Sequence, residues 1–278
     1  MRWHGIAGIF LILFAQFTML LQIQPFATFF TAIIWIGYVL LIDSFVYAMK
    51  GNSYLVNRRH KFFMMYLVSI SFWFIFEIYN KFAEFHGWYY VNLPESRAVT
   101  FLMGSLAFGT IIPAILETSE LVGSLHLFKI KRPWVRLPVD DLIAYLLFAI
   151  GVIFLFLPFL LTTVWIWAFV WIGFVLLIDP ILYIFRDEKS LLYQIKIRKY
   201  NVIISLMIAG YICGFLWEFW NYNAYTKWYY TIPVFENIKV FEIPVVGFLG
   251  YGPFALELYV MYEFIKLLLS RRIWGKLI

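Results

Sequence analysis

Apolar residues run along this chain in long stretches. They show neither the strict alternation of a half-buried strand nor the single stripe of a water-facing helix. Eight stretches stand out, at roughly 5–24, 26–48, 62–80, 99–124, 141–161, 163–185, 200–221 and 244–269. A helix rising about 1.5 Å per residue needs about 20 residues to cross about 30 Å of hydrocarbon, and each stretch supplies a span of that order. The polar breaks at Gln24-Pro25 and Thr162-Thr163 are short, which predicts helical hairpins from the first two stretches of each half. The first stretch opens on Arg2 in the manner of a signal peptide. No small-residue cleavage site follows it, so it is read as a helix.

Composition strengthens this picture. The 278 residues are 64% hydrophobic, 22% aromatic and 14% charged. Soluble domains carry about 45–50% apolar and about 25% charged residues. The excess excludes a water-soluble enzyme and predicts an all-α, polytopic membrane protein. The formal net charge of +6 raises the question of nucleic acid, but the placement of the basic residues answers it. All but four of the 22 lysines and arginines fall before the first span, in the loops that follow the even-numbered ones, or at and beyond the end of the last. The exceptions are Lys81, Arg97, Lys227 and Lys239. The positive-inside rule then predicts both termini in the cytoplasm, a multi-pass protein of the cell membrane, basic loops that meet the bilayer and no nucleic-acid partner.

The pattern also repeats. Residues 35–47 (WIGYVLLIDSFVY) and 171–183 (WIGFVLLIDPILY) are identical at nine of thirteen positions. FEIYNKFAEFHGWYY at 76–90 matches WEFWNYNAYTKWYY at 217–230, and IPAILE at 112–117 matches GPFALE at 252–257. Order, spacing and polar identity persist together, so the chain reads as two four-helix repeats, residues 1–139 and 140–278. Four helices return the chain to its starting side, which makes the repeats parallel.

Charged residues inside spans are costly, at about 2.5–3.5 kcal/mol each on insertion scales, and so are candidates for function. The spans hold Asp43, Glu77, Glu117, Glu120, Asp179, Glu218, Glu257 and Glu263. Six of these form pairs across the repeat: Asp43 with Asp179, Glu77 with Glu218, Glu117 with Glu257. The aspartates lie toward the basic ends of their helices, where pairing with Arg or Lys is the structural alternative to ligand contact. Glu77 and Glu218 precede Asn80 and Asn221 by about one turn, where hydrogen bonds fixing the next loop are the alternative. Glu117 and Glu257 lie deepest, each four residues after a proline, Pro113 or Pro253. Their alternative role is to satisfy backbone groups that the proline frees. As acids in an apolar pocket these glutamates suit an apolar substrate, and Glu117 and Glu257 are the leading candidates for catalytic acids.

Trp88, Tyr90, Trp228 and Tyr230 supply aromatic faces near the same carboxylates. Such faces stabilise cations or line apolar grooves, although Trp73, Trp88, Trp217, Trp220 and Trp228 also fit an interfacial belt that merely anchors helices. The single cysteine, Cys213, excludes an intramolecular disulfide and fits a small packing residue. His4, His60, His86 and His126 are scattered and offer no metal-binding spacing. Asp140-Asp141 is a lone acidic pair at a helix start, and no aspartate-rich magnesium motif, Walker loop, Rossmann fingerprint or nucleophile elbow occurs. The expected chemistry therefore needs no cofactor and no metal and is redox-neutral.

In each half a carboxylate closes a helix (FEIYN, WEFWN), an aromatic Trp-Tyr-Tyr loop follows, and the next helix bears Pro and Glu. This layout resembles the integral-membrane lycopene cyclase domain family, with His86-Gly87-Trp88-Tyr89-Tyr90 the closest local match. The resemblance covers roughly residues 40–120 and 176–260. The chain departs from the family in its Pro-x-x-x-Glu spacing, its four helices per half and its longer outer loop. The resemblance implies an enzyme that cyclises, isomerises or hydrates a carotenoid or other isoprenoid by acid catalysis. Glu77 and Glu117 would be its acids, with Glu218 and Glu257 in the second copy. Asp43, Asp179, Asn80, Asn221, Trp88, Trp228, Tyr90, Tyr230, Pro113 and Pro253 are the candidate substrate contacts. A transporter using the carboxylates as proton or cation sites and a lipid-binding or assembly subunit are the alternatives. The sequence leaves the oligomeric state and the choice of one shared site or two open.

Overall fold

A computed structural model describes residues 2–125, 137–163, 165–231 and 237–270. The chain is mostly helical, and eight of its helical segments are long and apolar enough to cross a membrane. Their bounds fall within a few residues of those expected for most spans. Lys129, Lys131, Arg132, Arg136, His126, Arg271, Arg272 and Lys276 lie outside the described residues.

The first half begins with a hairpin of α1 (Trp3–Leu20) and α2 (Phe30–Lys50). Between lipid-facing helices no water is displaced, so close backbone approach through small residues does the work of packing. Here it occurs at Gly8 and Gly37: a Cβ on Gly8 would sit 2.6 Å from the Gly37 carbonyl oxygen. α2 ends at Gly51, whose φ of 67° closes the helix in the left-handed region. A short α3 (Tyr54–Asn57) leads into α4 (Arg59–Phe82) and strand β1 (Trp88–Val91).

The fourth span is broken in two, α5 (Arg97–Phe108) and α6 (Ile111–Ser124). The break lies at Gly109, where a Cβ would meet the ring of Tyr66 at 2.3 Å. The expected partner for backbone groups freed near Pro113 is Glu117. The structure gives the task to Ser69 of α4 instead, whose hydroxyl donates to Phe108 O at 2.5 Å and accepts from Ile112 N at 3.0 Å.

The second half follows the same order. α7 (Asp141–Phe156) and α8 (Ile166–Ile184) form the hairpin, and a Cβ on Gly151 would lie 2.4 Å from Leu177 N. Asp140 caps α7 by accepting from Ile143 N at 2.9 Å. A short α9 (Leu191–Lys196), a long α10 (Asn201–Asn223) and strand β2 (Lys227–Tyr230) come next. Strands β3 (Lys239–Val240) and β4 (Ile243–Pro244), a 3-10 turn at Val245–Gly250 and α11 (Tyr251–Leu269) complete the described chain.

The expectation of an all-α fold needs a small correction. β1 and β2 pair antiparallel across the two halves, with Trp88 opposite Tyr230, Tyr89 opposite Tyr229 and Tyr90 opposite Trp228. The two segments join because loops outside the spans must satisfy their own backbone groups, and β-branched and aromatic residues favour strands. α6 packs on α10, and α11 reaches α4 and α6, so the halves share one interior. Trp35, Tyr183, Tyr262, Phe30 and Phe76 are the bulkiest fully buried side chains. α1 and α7 turn much of their apolar surface outward, as outer helices in a lipid solvent do.

Candidate functional site

Strand geometry sends alternate side chains to opposite faces. In β1 and β2 it directs Trp88, Tyr90, Trp228 and Tyr230 to the interior side, where all four line a cavity of about 950 Å³. Tyr89 and Tyr229 stack on each other at 5.6 Å and do not line it. Further walls come from Trp35 of α2, Trp73 of α4, Trp167 and Trp171 of α8, Trp217 of α10 and Phe254 of α11. With Trp165, eight tryptophans among the described residues border this one space. Several rings are in mutual contact, including Trp88 with Trp167 at 4.8 Å and Trp35 with Trp217 at 4.9 Å. The belt expected for the outer tryptophans is thus turned inward: Trp88, Trp217 and Trp220 are buried, and Trp220 packs on Trp35.

Glu77 lines the cavity. Its Oε1 accepts from Tyr90 OH at 2.6 Å, Trp73 Nε1 at 2.9 Å and Trp88 Nε1 at 3.3 Å. Among the described residues Oε2 receives no hydrogen bond. In the second half, Glu218 sits one layer back, fully buried. Its Oε1 accepts from Tyr230 OH at 2.7 Å and from Tyr251 OH, while Trp228 Nε1 donates to Tyr230 OH at 2.9 Å. The difference has a local cause. One turn before Glu77 stands Trp73, but one turn before Glu218 stands Gly214, and the Tyr251 ring fills the space there. Burial, and then the neighbouring glutamate, push the phenol pKa of Tyr90 and of Tyr230 well above the usual value, so both remain donors.

Asn80 and Asn221 hold the strands. Asn80 Oδ1 accepts from Gly87 N and Trp88 N, and its Nδ2 donates to Trp88 O at 2.9 Å. Asn221 makes the corresponding pair of bonds to the backbone of Trp228, each 2.9 Å. Both asparagines act on the loop and position its aromatic rings.

The other candidates fall elsewhere. Asp43 and Asp179, expected to pair with Arg or Lys or to touch substrate, do not line the cavity; they seat the short helices α3 and α9. Asp43 accepts from Ser53 OH at 2.8 Å and Leu55 N at 2.9 Å, with His4 Nε2 at 3.0 Å. Asp179 accepts from Leu191 N at 2.6 Å, Leu192 N at 2.8 Å and Ser190 OH at 3.2 Å. Pro253 borders the cavity, whereas Pro113 is buried in α6 away from it.

Glu117 and Glu257 are fully buried and do not line the cavity; among the described residues neither Glu257 oxygen has a hydrogen-bond partner, whereas Glu117 shares a hydrogen bond with the Asp43 carboxyl. The charged groups around Glu117 are Asp43, Glu120 and Arg58, and Arg58 is committed to Glu120 at 2.8 and 2.9 Å. The site therefore gathers Glu77, Glu218, Trp88, Trp228, Tyr90, Tyr230 and Pro253. It leaves Asp43, Asp179, Pro113, Glu117 and Glu257 outside. Trp35, Trp73, Trp167, Trp171, Tyr251 and Phe254 join without having been singled out as contacts. Two of them had a signal, since Trp35 and Trp171 open the matched thirteen-residue segment.

No family model, curated protein or solved structure matches this chain.

Proposed function

We propose that this protein is a multi-pass membrane enzyme that acts on an isoprenoid or carotenoid by acid catalysis, with Glu77 as the acid and the tryptophan cavity as the single shared site. We read the chain as two parallel four-helix repeats with both termini on the cytoplasmic side. The observation that carries the functional reading is the setting of Glu77: a carboxyl in an aromatic cavity, held through one oxygen by three donors and leaving the other free.

The chemistry follows from that setting. The Glu77 proton adds to a carbon–carbon double bond of the isoprenoid, giving a tertiary carbocation and a carboxylate. The three donors on Oε1 are already in place to stabilise the negative charge that develops there. A neighbouring double bond attacks the cation, forming a carbon–carbon bond and moving the positive charge. Loss of a proton to the Glu77 carboxylate then restores the acid, so the net change is an isomerisation with no redox step. Tryptophan faces around the cavity stabilise each cation by about 0.5–2 kcal/mol per contact. Glu218 acts through Tyr230 and Tyr251, positioning hydroxyls at the cavity wall. The resemblance to the lycopene cyclase domain family points to the same class of substrate.

The test is expression in cells that accumulate acyclic carotenoids, comparing extracted pigments with those from the Glu77→Gln variant. The expected result is a cyclised or isomerised product that the variant fails to make at equal protein level. Unchanged pigments across several acyclic precursors would overturn the carotenoid reading. Retention of an unaltered polyene by the purified protein, without conversion, would favour a binding role.

A further inference from the structure

We infer that the ligand of this cavity is an isoprenoid with an anionic head group, whose chain lies among the tryptophans and whose head sits against Arg97. This rests on the reading of the cavity as an isoprenoid site. The proposed substrate class spans apolar carotenoids and isoprenoids with a polar head, and the cation in the lining selects the latter within it. Among the described Asp, Glu, Lys, Arg and His residues, only Glu77 and Arg97 line the cavity. Glu77 projects from α4, and Arg97 is the first residue of α5, at the end of its span.

Of the other basic residues expected on its side, Lys81, Lys227 and Lys239, none lines the cavity. Lys227 is paired with Glu242 at 2.6 Å, and Lys81 lies 5.3 Å from the Phe82 ring centroid. Arg97 is exposed and forms no ion pair among the described residues. A guanidinium offers a planar fork suited to phosphate or carboxylate. Its position at the end of a span matches where the head of a bilayer lipid lies while its chain reaches inward.

The walls of the cavity support access from the bilayer. Phe101 of α5 and Leu249 of the 3-10 turn both line it, yet are 62% and 65% exposed. α5 packs on α2 and α4, whereas the 3-10 turn packs on α10, β4 and α11. Two separately anchored elements thus carry lipid-exposed apolar side chains at the rim of one cavity. An amphipathic lipid entering there keeps its head at the level of Arg97 and brings its far end toward Glu77.

The eight tryptophans around the cavity provide the readout. The full-length protein in detergent is titrated with geranylgeranyl phosphate and with geranylgeraniol, which share one chain, while tryptophan fluorescence is followed. The expected result is phosphate-headed binding tighter by about tenfold, the scale of one charge-assisted hydrogen bond. Arg97→Gln should remove that preference and leave geranylgeraniol affinity unchanged, which also reports a folded cavity. Arg97→Lys should keep part of it. Equal affinities in the unaltered protein, or a preference that survives Arg97→Gln, would overturn the inference and leave the cavity reading standing. Inorganic phosphate displacing the lipid at comparable concentration would assign Arg97 to the free anion and overturn the lipid-head proposal. No fluorescence response to either isoprenoid would overturn both readings.

Discussion

Two glutamate pairs lie in corresponding places in the two halves, and they live in opposite surroundings. Glu77 and Glu218 sit at or behind the aromatic cavity, and each accepts two or three hydrogen bonds from tyrosine or tryptophan. Glu117 and Glu257 are more deeply buried than Glu77, yet among the described residues Glu117 meets only another carboxyl, Asp43, and Glu257 has no hydrogen-bond partner. A buried polar group costs free energy unless it is bonded, so the first pair is integrated into the fold by tyrosine and tryptophan donors, a support that Glu257 lacks. The difference separates two kinds of persistence. The first pair organises donors around a space large enough for a ligand. The second occupies tightly packed helix contacts, with α6 against α10 and α11 against α8.

The most severe way to break this contrast is to remove a carboxyl whose donors depend on it. Glu218→Met leaves the hydroxyls of Tyr230 and Tyr251 without their acceptor, at about 1–3 kcal/mol each. The expected loss of about 4 kcal/mol corresponds to a fall in Tm of roughly 10 °C for a chain of this size. Thermal unfolding in detergent measures it. A shift of less than a degree or two would mean that the bonds to Glu218 add little.

The opposite sign is expected at Glu257. Glu257→Met replaces a carboxyl that has no partner with an apolar side chain of similar volume. Such replacements in buried sites are neutral or stabilising, so Tm should hold or rise by a few degrees, about 1 kcal/mol. Pigment conversion by the variant sharpens the comparison. Retained conversion leaves Glu77 as the acid, whereas a folded, more stable and inactive Glu257→Met protein would move the acid role to the deeper pair.

The eight long apolar helices were readable because crossing a bilayer would demand a length and a composition that stand out in the sequence whatever the tertiary detail. The paired carboxylates were readable as well, because matched segments such as residues 35–47 and 171–183 carry them at the same positions. Which pair meets the cavity was not. That depends on the rotation of each helix about its axis, and a span apolar on every side gives no stripe from which rotation can be read. Trp88 and Trp217 show the consequence. Their position near a span end fits a belt, but the antiparallel pairing of residues 88–91 with 227–230 turns Trp88 and Tyr90 inward together with Trp228 and Tyr230. Pro113 and Glu117 show another side of it. Proximity in sequence suggested that the glutamate serves the broken helix, but Ser69, more than forty residues earlier, has the shorter reach and the right face.

The smallest effect is invisible at neutral pH and tests the donors themselves. Tyr90 and Tyr230 lie in the strands outside the spans, and burial, followed by the adjacent glutamate, raises the pKa of each in the folded protein. An unfolded tyrosine loses its proton near pH 10. Above that value the unfolded chain binds fewer protons than the folded one, so stability falls as pH rises and is fully retained below it. The same slope is expected from both halves, since each tyrosine donates to its own glutamate. Tyr90→Phe and Tyr230→Phe should each flatten the loss of stability between about pH 10 and pH 11, measured by thermal unfolding across that range. If only Tyr230→Phe flattened it, the Tyr90 hydroxyl would be ionising as freely in the folded state as in the unfolded one. The hydrogen bond that fixes Glu77 at the cavity wall would then be broken before the protein unfolds.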